Sequence, residues 1–286
     1  MGIIEMKQQL VEAARSLHQR GFVVGSAGNL SVLLDDGTFL ATPTGSSFGE
    51  LTELSVSHFS KEGTLLGGKA PTKEVPFHLA CYESHPEARA VVHLHSTYAT
   101  LLASCDHLVD GQPFVPFTPY FVMKVSKVGI LPYRKPGSPL IAADILAKPH
   151  YWTYLMQNHG LIVCGSSLRE AVFSAEEFEE SAKLWYLGRS LPIRHLTEEL
   201  ERRAQEFKSL SVRDFYEYRE SSAAELPRIL LIIDEFQILF SEGRQVAEPA
   251  EKMLNQLLRQ GRAYGIHVLL ATQTLKGIQS LSMGQL

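Results

Sequence analysis

Two histidines stand two residues apart in an apolar run, in the order His93-Leu94-His95. Side chains two positions apart on a strand point to the same face, so these two imidazoles would project together. A catalytic metal site keeps three protein ligands and one open position, and this pair would supply two of the three ligands. The alternative is a buried strand that carries two structural histidines, and the pair alone does not exclude it.

A carboxylate, Glu74, ends the segment Pro-Thr-Lys-Glu at 71–74, directly before a predicted helix that has proline in its first turn. An acid at a helix start interacts favourably with the helix dipole, which would explain Glu74 as an ordinary surface residue. The other interpretation is a base that faces the metal.

Two glycine-containing segments near the N-terminus, at 25–31 and 42–47, contain Gly28, Asn29, Thr44 and Gly45. Each segment alone could be a turn. Together they offer backbone amides, hydroxyls and a side-chain amide, which are the donors that hold a phosphate.

A third segment, 63–70, nearly matches a nucleotide-binding P-loop. Ala70 stands where serine or threonine must hold magnesium, and Pro71 disrupts the helix start. We therefore reject it as a P-loop.

The composition is that of a globular protein, with 45% hydrophobic residues, 20% charged residues and a net charge of −4. Slight acidity argues against broad binding to nucleic acid or membrane surfaces. The three cysteines are widely spaced, so neither a disulfide framework nor a thiolate zinc site is indicated. Since the N-terminus lacks a secretory signal pattern and no apolar run could span a bilayer, we expect a cytoplasmic protein.

The expected elements alternate between helix and strand. We expect helices at 5–20, 75–82, 96–104 and 168–187, hairpin turns at 35–37 and 62–63, and strands on either side of His159 and Gly160. The proline-rich segment 111–139 is expected to be an extended surface stretch.

Five segments occur in an order and spacing that resemble the class II aldolase and adducin family: Gly-Asn-Leu-Ser at 28–31, Thr-Pro-Thr-Gly at 42–45, Pro-Thr-Lys-Glu at 71–74, His-Leu-His at 93–95 and Asn-His-Gly at 158–160. The resemblance covers residues 5 to about 196, and we expect a catalytic domain at 1–196. It implies an α/β fold, an α/β/α sandwich around a mostly antiparallel sheet.

The resemblance also implies roles for particular residues. His93, His95 and His159 would bind zinc or another divalent metal, and Glu74 would be the general acid/base. The phosphate site would be formed by Gly28, Asn29, Thr44, Gly45, Thr72 and Lys73, where threonine and lysine replace the family's usual pair of serines. Family members are commonly tetramers with sites at subunit interfaces, and Tyr120 matches a tyrosine contributed by the neighbouring subunit.

Within the family, three segments are most similar to the 3-oxo-tetronate 4-phosphate decarboxylases: Thr-Lys-Glu at 72–74, the run from 93 to 98, and the run from 131 to 138. This implies a sugar-acid phosphate substrate that loses carbon dioxide through a metal-bound enediolate and yields dihydroxyacetone phosphate. A fuculose-phosphate-type class II aldolase would pass through the same enediolate and remains an alternative, as does a ribulose-phosphate 4-epimerase. The presence of all three histidines and Glu74 argues against a non-catalytic adducin-like domain, and the long helices argue against a cupin barrel.

From about Thr197 the chain changes character. An apolar run at 229–233 is followed by Asp234 and Glu235, as in a Walker B element, and a second apolar run follows at 267–271. Residues 197–286 resemble a fragment of FtsK-type DNA translocase ATPases, a partial P-loop-ATPase-like α/β segment without the P-loop. We expect this segment to lack independent ATPase activity and its two strands to pair weakly or leave an open edge. A DNA-associated ATPase is the alternative from a different class of function, and the missing P-loop argues against it.

Overall fold

The chain forms two compact units, Met1–Leu187 and Gly188–Leu286. The computed structural model describes residues 2–106, 108–114, 116, 118–125, 127–189, 196–221, 226–233, 236, 252 and 254–272. Within these ranges, no helix combines the length and the apolar composition needed to cross a bilayer.

The described residues of the first unit form eight strands and six α-helices. In chain order these are α1 (Ile3–Gln19), β1 (Asn29–Leu33), β2 (Phe39–Ala41), β3 (Ser57–Phe59), β4 (Leu65–Gly67), α2 (Val75–Ser84), β5 (Ala90–Leu94), α3 (Thr97–Ala103), α4 (Pro119–Lys124), β6 (Val128–Leu131), α5 (Pro139–Leu146), β7 (Thr153–Met156), β8 (Gly160–Gly165) and α6 (Leu168–Gly188). The expected helices and both expected hairpins are present.

The strands form one open sheet in the order β4-β3-β2-β1-β5-β8-β7-β6. Every neighbouring pair is antiparallel except β6 and β7, which are parallel. The expected mostly antiparallel sheet is therefore confirmed. The central strand β5 lies between β1 and β8, with Asn29 opposite His93 and Leu94 opposite Leu161.

Helices cover both faces of this sheet, because successive strand side chains alternate between two separate hydrophobic cores. Val92 belongs to the core formed with α1, α3 and α6, and Val91 belongs to the core formed with α2 and α5. The fold is therefore an α/β/α sandwich. His93 is fully buried and shares the face of Val91, so its imidazole points toward α2.

The prediction of an extended surface segment at 111–139 is wrong. This segment contains α4 and β6, and Phe114, Phe121 and Val128 are buried. Two of its prolines, Pro119 and Pro139, occupy the first turns of α4 and α5, where a missing backbone N–H costs nothing. Prolines that begin helices therefore gave the segment the composition of a loop.

The second unit has helices α7 (Leu196–Ser209) and α8 (Phe215–Ser221) and strands β9 (Ile229–Ile233) and β10 (Ile266–Leu270). The two strands pair in parallel. One face of the pair packs on a small core, and the other leaves Leu230, Ile232 and Leu269 exposed. The expected strand pair is therefore present, with an uncovered apolar face. Asp234 and Glu235 lie outside the described residues, so the FtsK-like resemblance stays a prediction.

Candidate active site

The structure brings His93, His95 and His159 together. Their candidate ligand atoms all lie within 4.8 Å of one another. The three rings meet edge to face, with centroids 4.7 to 5.1 Å apart. His93 lies on β5 and His95 just beyond its end, and His159 precedes β8, the strand paired with β5. The cluster has the ligand types of a three-histidine metal site.

Two glycines allow the neighbouring segments to approach the end of β5. A Cβ on Gly160 would lie 2.4 Å from the carbonyl oxygen of Leu94, and a Cβ on Gly28 would lie 2.8 Å from the carbonyl oxygen of His93. Gly28 also has a positive φ of 76°, which favours glycine. Any larger residue at either position would push its segment away from the histidines.

The hydrogen bond of the buried His93 ring sets its tautomer. Nδ1 lies 2.9 Å from the carbonyl oxygen of Leu161, which can only accept, so Nδ1 carries the proton. This leaves Nε2 with a free lone pair, 2.8 Å from Nε2 of His95. A backbone carbonyl that orients a ligating histidine in this way is a common feature of metal sites.

His159 is buried, and neither of its ring nitrogens has a hydrogen-bond partner among the described residues. An unsatisfied buried polar atom costs roughly 1–3 kcal/mol. A cation bound by the three imidazoles would satisfy one of these two nitrogens, so the residues present fit a divalent metal. Three neutral nitrogen ligands suit zinc and also several other first-row metals.

All three imidazoles favour the neutral form. Burial lowers the pKa of His93 well below its usual range, and the neighbouring His95 and His159 lower it further. Burial likewise lowers the pKa of His95 to about 4 and lowers that of His159. The lone pairs needed for metal binding are therefore available near neutral pH.

Glu74 lies at the N-terminus of α2 and faces the histidine cluster. Its carboxylate oxygens lie 3.4 Å from Nε2 of His93 and 3.7 Å from Nε2 of His159. Asn29 Nδ2 donates a hydrogen bond of 2.8 Å to Glu74 Oε2. Since its side chain is only 12% exposed, Glu74 is not an ordinary surface acid.

Two of the segments expected to hold phosphate, 42–45 and 71–74, lie side by side. Thr72 N donates to the carbonyl oxygen of Thr42 at 3.2 Å, and Thr44 N donates to that of Ala70 at 3.1 Å. Thr72 Oγ1 in turn accepts a hydrogen bond of 3.3 Å from Glu74 N. The two loops and the carboxylate are therefore parts of one local structure.

Lys73 is exposed and makes no ion pair with the described part of the chain. Gly45 has a positive φ of 68° and open space where a side chain would be. Gly137 lies close to Lys73, because a Cβ placed on it would be 4.0 Å from Lys73 Cβ. The segment 131–138 therefore passes beside Lys73 at Gly137.

Tyr120 is 60% exposed on α4. No hydrogen bond or ring contact within the described residues joins it to the three histidines. Its contribution to a neighbouring subunit therefore stays a prediction.

Glu179 is a residue that sequence reasoning missed. From α6 it accepts hydrogen bonds from Ser96 Oγ at 2.7 Å and from the backbone N–H groups of Tyr98 and Ala99, both at 2.8 Å. It thereby holds the start of α3, which follows His95 directly. The sequence marks Ser96 as a helix start, but its partner lies 83 residues away and has no local signal.

The metal-free protein is expected to lose stability as pH falls from about 6.5 to about 5. Burial lowers the pKa of His78 to about 3, and that of His95 to about 4. Histidines in the unfolded chain take up protons below about pH 6.5. The unfolded state then binds more protons than the folded state, so each such group lowers the free energy of unfolding by up to about 1.4 kcal/mol per pH unit.

Urea unfolding of chelator-treated protein at several pH values measures this slope. The range above about pH 7.5 is the internal control, because imidazoles are neutral there in both states. A free energy of unfolding that stays constant down to about pH 5 would contradict the prediction.

Residues 8–186 match the family model described as Class II Aldolase and Adducin N-terminal domain. The 3-oxo-tetronate 4-phosphate decarboxylase of Haemophilus influenzae is 47% identical over 196 residues, which cover 68% of this chain and 93% of that protein. The L-fuculose phosphate aldolase of Methanocaldococcus jannaschii is 34% identical over 182 residues, which cover 64% of this chain and 96% of that protein. The crystal structure of YgbL from Escherichia coli superposes with a TM-score of 0.66 at 44% identity, covering 68% of this chain and 94% of that one.

Proposed function

Because this chain belongs to the class II aldolase and adducin family, we propose that it decarboxylates a 3-oxo-tetronate 4-phosphate to dihydroxyacetone phosphate and carbon dioxide. The observation that carries the proposal is the Glu74 carboxylate, 3.4 Å from His93 and 3.7 Å from His159, beside three converging imidazoles. The substrate class is supported by the name of the Haemophilus influenzae relative.

We propose that His93, His95 and His159 hold zinc or another divalent metal. Support comes from the neutral imidazoles and from His159, whose ring nitrogens lack a partner in the described residues. When bound, the cation supplies Lewis acidity that withdraws electrons from the C3 carbonyl of the substrate.

The chain's own residues would bind the substrate and move a proton. The amides and hydroxyls of Gly28, Thr44, Gly45 and Thr72 would hold the phosphate. The side-chain amide of Asn29, expected from sequence to join them, donates to Glu74 instead. The exposed cation of Lys73 would attract the phosphate or the carboxylate of the substrate.

Proton transfer is assigned to Glu74. When the C1–C2 bond breaks, its electron pair remains on the substrate and C1 leaves as carbon dioxide. Protonated Glu74 then donates its proton to C2, which gives dihydroxyacetone phosphate. The reaction consumes one proton for each carbon dioxide released.

A sugar-phosphate aldolase is the second candidate. It is supported by the relative named L-fuculose phosphate aldolase and by the fact that Glu74 and three histidines would also serve a retro-aldol cleavage. The two reactions differ in the fragment that leaves, which is an aldehyde in one and carbon dioxide in the other. Lys73 favours the decarboxylase, because a substrate with two anionic groups gains from a second cation.

We also propose a homo-oligomer, commonly a tetramer in this family, in which the exposed Tyr120 reaches a neighbour's site. For the second unit we propose a fragment similar to FtsK-type ATPases, without activity of its own. The parallel pairing of β9 and β10 supports this proposal, and ATP hydrolysis by the chain would contradict it.

The test of the main proposal is product formation by zinc-loaded protein. We expect a 3-oxo-tetronate 4-phosphate to yield carbon dioxide and dihydroxyacetone phosphate in equal amounts, while chelator-treated protein yields neither. Absence of carbon dioxide from protein shown to hold metal would contradict the decarboxylase. Cleavage of fuculose 1-phosphate by the same sample would then support the aldolase.

A further inference from the structure

A chain of buried hydrogen bonds leads from Glu74 into the protein. Asn29 Nδ2 donates to Glu74 Oε2 at 2.8 Å, and Asn29 Oδ1 contacts Nε2 of His78. On the far side of the imidazole, His78 Nδ1 lies 2.7 Å from Ser31 Oγ, which lies 2.8 Å from the hydroxyl of Tyr82. All four residues behind Glu74 are buried.

While Glu74 is ionised, the donors and acceptors in this chain have one consistent direction. A carboxylate can only accept, so Asn29 must turn its amide nitrogen toward Glu74 and its oxygen toward His78. His78 Nε2 must therefore carry the proton. Burial keeps this imidazole neutral, with a pKa of about 3, so Nδ1 accepts from the hydroxyl of Ser31. Ser31 in turn accepts from Tyr82.

The chain joins two rigid elements. Asn29 and Ser31 are two positions apart on β1 and share a face, and Glu74 and His78 are four positions apart at the start of α2 and share a side of the helix. Asn29 also pairs in register with His93 on β5. The position of the Glu74 carboxyl over the histidines is therefore tied to both β1 and α2.

We propose that His78 is a positioning residue for Glu74. Through the amide of Asn29 it holds the carboxyl group over the histidine cluster and so determines the face from which the substrate carbon is protonated. This inference rests on the proposed function. The alternative is a core histidine whose removal affects only stability.

The test compares His78→Phe and His78→Gln in the zinc-loaded full chain. Phenylalanine fills the space but cannot donate to Asn29, whereas glutamine keeps an N–H group. We expect both variants to bind as much zinc as the wild type. His78→Phe should lower kcat by about 10- to 100-fold, as outer-shell changes commonly do, with KM changed less than about threefold. The kcat of His78→Gln should be about tenfold higher than that of His78→Phe.

A second measurement reports the face from which the substrate carbon is protonated. In deuterium oxide the wild type should place one deuterium stereospecifically on the carbon that carried the carboxylate, with the product trapped at once by reduction. His78→Phe should give a mixture of both configurations, because a loosened carboxyl group can deliver its proton to either face. A merely structural role would lower stability and leave the stereochemistry unchanged.

The matched control is His85→Phe. His85 is also buried at α2, at its opposite end, where its Nε2 lies 2.8 Å from the carbonyl oxygen of Tyr151. We expect this variant to keep kcat within about threefold of the wild type and to keep the stereochemistry.

Unchanged kcat and stereochemistry in His78→Phe would overturn the inference. A nitrogen-15 imidazole spectrum of the wild type near neutral pH gives an independent check, with the His78 proton expected on Nε2. A proton on Nδ1 would overturn the hydrogen-bond chain whether or not the protein is active. A wild type that releases no carbon dioxide would instead overturn the proposed function. The spectrum would still show whether the hydrogen bonds from Asn29 to Ser31 run through His78 as described.

Discussion

Replacing His93 with alanine is expected to remove the metal and the lyase activity together. His93 is completely buried beside the other two histidines, and its Nε2 lies 2.8 Å from that of His95. Two remaining imidazoles would leave an incomplete site. Loss of Lewis-acid stabilisation worth several kcal/mol corresponds to a fall in kcat/KM of at least about 10³-fold. Metal content after dialysis and steady-state kinetics on the same sample measure both effects.

His58→Ala is the matched control, because His58 lies on β3 of the same sheet. Among the described residues, its side chain hydrogen-bonds only to Thr38. We expect this variant to keep its metal and its activity. A His93→Ala protein that still binds one zinc per chain with unchanged affinity would exclude His93 as a ligand.

Replacing Glu74 with glutamine is expected to separate metal binding from turnover. Glutamine has nearly the same size and can still accept the hydrogen bond from Asn29, so the fold and the metal content should be unchanged. It cannot donate an acidic proton to a carbanionic carbon. General acid catalysis commonly contributes about 10²- to 10⁴-fold, and we expect kcat to fall within that range.

Glu170→Gln makes the same substitution at another helix start, where Glu170 accepts a hydrogen bond of 2.9 Å from Ser166 N. This variant should turn over like the wild type. Full turnover by Glu74→Gln with its metal retained would remove Glu74 from the mechanism. Simultaneous loss of metal would instead indicate that the carboxylate is a ligand.

Local sequence patterns are enough to predict the backbone structure around the site. The period of two in a strand predicted that His93 and His95 share an environment, and proline in the first turn predicted that Glu74 begins α2. The close contacts that require glycine at positions 28 and 160 are visible only in the structure. The third histidine came only from the resemblance to a family, because no local pattern links His159 to a strand 65 residues earlier.

The surroundings of these residues depend on contacts between distant parts of the chain. The order of strands in the sheet places β1 and β8 on either side of β5, and this order brings Leu161 to His93 across 68 residues. The same packing brings Asn29 to Glu74 across 45 residues and Glu179 to Ser96 across 83 residues. Periodicity and capping act over a few residues, whereas these contacts depend on which strands pair and which helix covers each face. The hydrogen bonds that orient the site therefore form only in the folded chain and have no local sequence pattern.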